Sequence, residues 1–133
     1  MSPAPVNTHT MPWEQLPVPE LDALLPAKTC LMDPDTGMAI WKIRYPAGFT
    51  TISHWHRCAH GMYVLEGQLL TSAGEIGPGG FVWFPEGTVM HHGAREDNDV
   101  IFLFITNKAF DIHFTHLEGL PPGDAAAQTF ATP

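Results

Sequence analysis

The sequence predicts an all-β domain, a sandwich or barrel of short strands. Three observations predict it. Apolar runs of about four to eight residues recur between Gly- and Pro-bearing turns. The first of these runs alternates with a period of two, as a half-buried strand must. No segment sustains a 3.6-residue apolar pattern beyond two helical turns.

Taken in order, residues 1–28 hold six of the thirteen prolines. Proline fixes φ and removes a donor, so this stretch is expected to be an extended arm with at most one short helical turn, lying along a neighbouring surface such as that of a second subunit. The barrel proper is expected over 29–116. Its strands are "MAIWKIRY" (38–45), then "MYVLEGQLLTS" (62–72), broken at a Glu-Gly kink, then "FVWF" (81–84) and "DVIFLFIT" (99–106), and last "AFDIHFTH" (109–116). "AGE" and "GPGG" are turn chemistry around one very short piece. The tail 117–133 is small, polar and proline-bearing, and is expected to be loosely held.

Composition narrows the function. Six basic against fourteen acidic side chains give a net charge of −8, without a basic cluster, which repels a phosphate-rich partner and excludes a nucleic-acid role. There is no signal-peptide pattern, and no apolar run approaches a membrane span. Two cysteines, Cys30 and Cys58, allow one bridge at most, and reduced thiols in a cytoplasm are expected. Cys58 reads as a small buried hydrophobe.

Three of the eight histidines fall within "SHWHRCAH", at His54, His56 and His60. His54 and His56, two apart on a strand, point to one face. His60 returns to the same mouth across a tight turn, and the pair His91–His92 follows one hairpin later. Neutral imidazoles converging from two strands suit a divalent transition metal, since each offers a lone pair without burying net charge. Imidazoles alone do not choose among Fe, Mn, Zn, Ni and Cu.

Residues 48–67, "GFTTISHWHRCAHGMYVLEG", resemble the first cupin motif, G-x5-H-x-H-x3-E-x6-G. Gly48, His54, His56 and Gly67 fall in register, while the family's glutamate is His60. Residues 79–92, "GGFVWFPEGTVMHH", resemble the second motif, G-x5-P-x-G-x2-H-x3-N. Gly79, Pro85 and Gly87 match. Met90 stands at the histidine position, and the final asparagine is missing. The resemblance covers about residues 30–116. It implies a double-stranded β-helix, the jelly-roll barrel, with one divalent metal per chain at its mouth. The histidine at position 60 resembles the minority of small cupins that bind their metal by four histidines. The implied ligands are His54, His56, His60 and His92, with His91 the alternative fourth. Position 92 has the strand parity of position 90, and that favours His92. A homodimer is expected, both from the resemblance and from the exposed strand edges of such a barrel.

Losing the carboxylate leaves the ion's charge uncompensated, which favours an anionic ligand such as an enolate. Met90, Tyr63, Trp83, Phe104 and Arg44 are expected at the substrate pocket, with Arg44 or Arg57 holding a substrate carboxylate. The expected activity is that of a metal-dependent, dioxygenase-like oxidoreductase acting on a small enolisable or aromatic carbonyl compound or acid, with Fe or Mn favoured. A non-redox lyase or isomerase and a sensor of small molecules or metal are the alternatives.

Overall fold

The computed structural model describes residues 2–122. The larger sheet has six antiparallel strands in the order β1-β2-β3-β10-β5-β8. These are β1 (Glu14–Val18), β2 (Ala23–Met32), β3 (Ala39–Tyr45), β5 (His60–Glu66), β8 (Phe81–Phe84) and β10 (Val100–Thr106). Opposite it lie a three-stranded sheet, β7-β6-β9, made of β6 (Leu69–Thr71), β7 (Gly74–Ile76) and β9 (His92–Ala94), and the pair β11-β4, made of β4 (His54–Trp55) and β11 (His113–Phe114). Isolated bridges Thr50↔Gly93 and His54↔Met90 stitch these smaller pieces together. A single-turn helix, α1 (Thr115–Glu118), follows. No described helix is long and apolar enough to cross a membrane.

The alternation of side chains decides what is inside. β10 reads buried at Val100, Phe102, Phe104 and Thr106, and half-buried between them. β5 turns His60, Met62 and Val64 inward, and β3 turns in Ala39, Ile43 and Tyr45. Of these, Ile43, Tyr45, Met62, Val64, Val100, Phe102 and Phe104 form one apolar core with Leu69, Phe84 and Met90. The Glu-Gly kink is required by close approach. Gly67 has φ +80°, and a Cβ there would come within 2.2 Å of the Asp99 carbonyl oxygen.

Three expectations are corrected. Residues 14–28 are extended with one short turn at Pro19–Leu21, as expected, but they belong to the domain's own sheet: β1 pairs with β2 from Glu14↔Ala27 to Val18↔Ala23, so the large sheet begins 15 positions before the expected boundary at 29. The prolines fit because Pro17 lies on the edge strand, and Pro26 precedes the stretch of β2 that pairs with β3, which starts at Ala27. Residues 6–13 fold back on the same sheet, where Lys28 lies 4.4 Å from the centre of the Trp13 ring and donates to the Thr8 carbonyl oxygen. The expected strand 109–116 shrinks to His113–Phe114, because Asp111 turns aside to cap the 57–58 backbone. Within the expected tail, residues 117–118 complete α1, and 123–133 lie outside the described residues.

Candidate metal centre

His54 lies on β4, His60 opens β5, His92 opens β9 and His56 lies just past β4. All four are buried, none more than 4% exposed. Their rings form a closed circuit, with centroids 5.0 Å apart for His54–His56, 4.7 Å for His56–His60, 6.2 Å for His60–His92 and 5.0 Å for His92–His54. The Nε2 atom of every one of them is buried without a hydrogen-bond partner.

Hydrogen bonds fix which nitrogen carries the proton. His54 Nδ1 is 2.6 Å from the Ile52 carbonyl oxygen, and His56 Nδ1 contacts the Asp111 carbonyl oxygen. A carbonyl only accepts, so both Nδ1 atoms carry hydrogen and both Nε2 atoms present lone pairs. Burial also keeps these rings neutral. It pushes His54 down to about 3, with the neighbouring His56 adding to the effect, and moves His56, His60 and His92 in the same direction. The Nε2 lone pairs of His54 and His56, buried beside two further Nε2 atoms without partners, are stabilised by a cation. The donor set therefore fits a divalent transition metal. His60 differs from the others: its Nδ1 also lacks a partner, and its ring is stacked on Phe104 at 4.5 Å.

The parity argument at 90–92 agrees with the packing. Thr51 N–H donates to the His92 carbonyl oxygen at 2.8 Å, and His54 and Met90 exchange backbone hydrogen bonds at 3.0 and 2.8 Å. Three residues on one side thus span two on the other, a bulge at 52–53 that keeps His54, Met90 and His92 all facing inward. His91 is exposed, its backbone N–H on Ser72 Oγ at 3.3 Å, and it takes no part in the circuit.

A cavity of about 110 Å³ opens against His54, His56 and His92. Trp41, Ile43, Phe49, Phe104, Phe110 and Ile112 form part of its wall, and Leu16, Val18, Leu21 and Leu25 close another side. Among the described residues no charged side chain lines it, and its hydroxyls are those of Tyr45 and Thr51. Of the five expected pocket residues, Phe104 lines the cavity. Met90 is buried in the core, outside the lining. Tyr63 and Trp83 point outward, 39% and 44% exposed, because strand parity places them opposite His60 and Phe84. Arg44 is outward for the same reason, next to the inward Tyr45, and pairs with Asp99. Arg57 is exposed as well, 3.9 Å from Asp111. No cation is available in the cavity for a substrate carboxylate.

Sequence reasoning missed the outer support of the site. The Asp111 carboxylate accepts from the backbone N–H groups of Arg57, at 2.9 and 3.1 Å, and of Cys58, at 3.3 Å, and from His113 Nε2 at 2.6 Å. His56, Cys58 and Asp111 have donor atoms within 4.8 Å of one another. The carboxylate is already occupied there, His56 Nδ1 is spent on a carbonyl, and burial pushes the Cys58 thiol up. This trio therefore acts as a brace behind His56. Cys30 and Cys58 are both free thiols. The N-terminal apolar wall and Phe110 were also missed, since nothing in their local spacing distinguishes a cavity wall from ordinary core.

A double-stranded β barrel with a histidine circuit at one end of its interior defines a cupin. The chain belongs to the family of the ChrR cupin-like domain, whose model matches residues 1–111. No curated protein matches the sequence. Among solved structures it is similar to a presumed acetylacetone dioxygenase of Methylibium petroleiphilum, with TM-score 0.73 and 14% identity over 92% of this chain and 88% of that one. It is also similar to a polyketide cyclase of Streptomyces resistomycificus, with TM-score 0.70 and 18% identity over 85% of each chain. A third is a DMSP lyase of Ruegeria pomeroyi, with TM-score 0.61 and 18% identity over 80% of this chain and 62% of that one. At these identities the likeness is one of fold.

Proposed function

We propose that this cupin is a metal-dependent oxidoreductase of the dioxygenase type, acting on a small, mostly apolar carbonyl compound that can enolise. The observation that carries the proposal is the set of four buried, unpartnered Nε2 atoms, three of them on histidines that line an uncharged cavity. His54, His56, His60 and His92 would hold the ion, and Fe or Mn is favoured among Fe, Mn, Zn, Ni and Cu. Such an ion supplies a dipositive charge that polarises a carbonyl and acidifies the adjacent C–H, and a redox-active one also passes electrons to O2.

The protein's own part is orientation and exclusion of water. Carbonyl groups 52 and 111 hold two of the imidazoles in one tautomer, and Phe104 stacks on the third. The apolar walls keep the site dry, which strengthens every electrostatic interaction within it. The cavity is close in size to one that takes a benzene-sized molecule. Having no cation, it suits a neutral ketone or its enolate better than a dicarboxylate. A carboxylate general base is also missing from the lining, and hydrolase chemistry is disfavoured accordingly.

Elemental mass spectrometry on tag-free protein, beside a His54→Ala/His56→Ala double variant, tests the proposal. Near-stoichiometric Fe or Mn lost in the variant, together with oxygen uptake on β-dicarbonyl or aromatic ketones, is expected. Zn or Ni lost in the same way, without oxygen uptake, turns the assignment to a non-redox lyase or isomerase. A wild type that takes up no metal even on reconstitution overturns it.

A further inference from the structure

His92 makes two hydrogen bonds to side-chain hydroxyls, and both of the residues that carry them line the cavity. Its backbone N–H donates to Thr51 Oγ1 at 3.0 Å, and its Nδ1 lies 2.8 Å from Tyr45 Oη. An amide only donates, so Thr51 Oγ1 is the acceptor and its own hydrogen is left over. For Tyr45 the direction follows from the tautomer. If His92 presents its Nε2 lone pair to an ion, as the proposed function requires, the ring proton sits on Nδ1 and Tyr45 Oη must accept it. The phenol hydrogen is then left over as well.

Neither side-chain hydroxyl has a second partner among the described residues. Tyr45 is 3% and Thr51 8% exposed, so bulk water does not satisfy them. With His92 in that tautomer, two buried O–H donors are left without acceptors, in a wall that is otherwise apolar apart from the histidines and Trp41, and they are costly unless something in the cavity accepts from them.

We propose that Tyr45 and Thr51 are the substrate-recognition pair, donating their hydroxyl hydrogens to the oxygen atoms of a compact carbonyl compound in the cavity. This deepens the proposed function and rests on it for Tyr45, whereas the Thr51 half stands on the amide alone. The pair explains how a cavity without cations or carboxylates selects for oxygen: two neutral donors orient a carbonyl or enolate oxygen, and the apolar wall fits the rest. Filling the four-nitrogen site also commits His92 to the Nδ1–H tautomer, so loading the site turns the Tyr45 hydroxyl from His92 toward the cavity. Recognition of substrate is thereby coupled to occupancy of the site.

The test uses full-length protein loaded with one equivalent of Zn(II), verified by elemental mass spectrometry, and carbonyl-13C pentane-2,4-dione as probe. Calorimetry gives the Kd and infrared difference spectra give the carbonyl stretch. Tyr45→Phe and Thr51→Val, each at full metal loading, are expected to weaken the probe about tenfold. Each is also expected to raise the stretching frequency of the bound carbonyl, and Thr51→Ser to restore both. Loaded variants that bind the probe as wild type does, with an unchanged stretch, overturn the proposal and leave the hydroxyls as supports of His92. So does a loaded wild type that binds the probe no more tightly than the His54→Ala/His56→Ala variant does. A wild type that takes up no Zn(II) instead removes the metal reading, and the Tyr45 assignment with it. If Tyr45→Phe fails to fold, the Thr51→Val and Thr51→Ser pair decides.

Discussion

Acid should unfold the metal-free protein through its histidine circuit. His54 is held near 3 when folded, against about 6.5 when unfolded. Between those values the unfolded chain binds the proton and the folded chain does not. Stability is therefore complete above pH 6.5 and lost as pH falls toward 3. From pH 7.5 to 5.0 this one group removes about 2 kcal/mol. His56, His60 and His92 are displaced in the same direction, and each can add at most about 1.4 kcal/mol per pH unit. His113 works the other way. Partial burial opposes its protonation, but hydrogen bonds to Glu118 and Asp111 outweigh that and raise it, so it favours the folded state in acid. Four groups outweigh one, and a domain is stable by only about 5–15 kcal/mol. The assay is urea unfolding of chelator-stripped protein at pH 7.5, 6.0 and 5.0, beside His54→Gln. A steep loss in the wild type is expected, with a slope near pH 5 shallower by about 1.4 kcal/mol per unit in the variant. Unfolding free energies equal at pH 7.5 and 5.0 would refute the reasoning, since the rings would then be taking up protons inside the fold as readily as outside it.

Other perturbations follow from the same geometry. Asp111→Ala removes the acceptor for two backbone N–H groups and for His113, and should cost about 2 kcal/mol in urea unfolding while weakening Zn(II) binding at least tenfold. Phe110 is 43% exposed at the cavity, so Phe110→Ala should cost under about 1 kcal/mol yet admit bulkier aryl ketones, read by calorimetry on the loaded protein. Cys58 is 1% exposed and burial raises its pKa, so mass spectrometry after brief treatment with iodoacetamide at pH 7.5 should find the label on Cys30 and not on Cys58 until urea is added.

What the sequence made legible was whatever local period and spacing determine. Strand β8 was read to the residue, and β10 to within one, because a continuous apolar run between turns has few other uses. The three close histidines were legible because their spacing and strand parity are local, and parity alone favoured His92 over His91. Misreadings came where long-range pairing overrode a local rule. Pro17 and Pro26 pointed to an arm outside the barrel, but Pro17 lies on the edge strand and Pro26 lies ahead of the pairing with β3, so neither breaks the sheet. Tyr63 and Trp83 were placed in the cavity although His60 on the same strand already fixed Tyr63 on the other face. Asp111 and Thr51 had no signal at all, because their roles are defined only by backbone groups 41 to 54 positions away.

The strands β1 and β2 have a consequence for how this protein can change. Its nitrogen cradle comes from residues 54–92, while Leu16, Val18, Leu21 and Leu25 face the same cavity from a separate stretch of chain. One segment sets the chemistry and another sets much of the shape. Drift or deliberate diversification at those four leucine and valine positions can reshape the cavity while leaving every histidine nitrogen untouched, so its shape and its histidine set are open to separate adjustment, the former from the amino-terminal side.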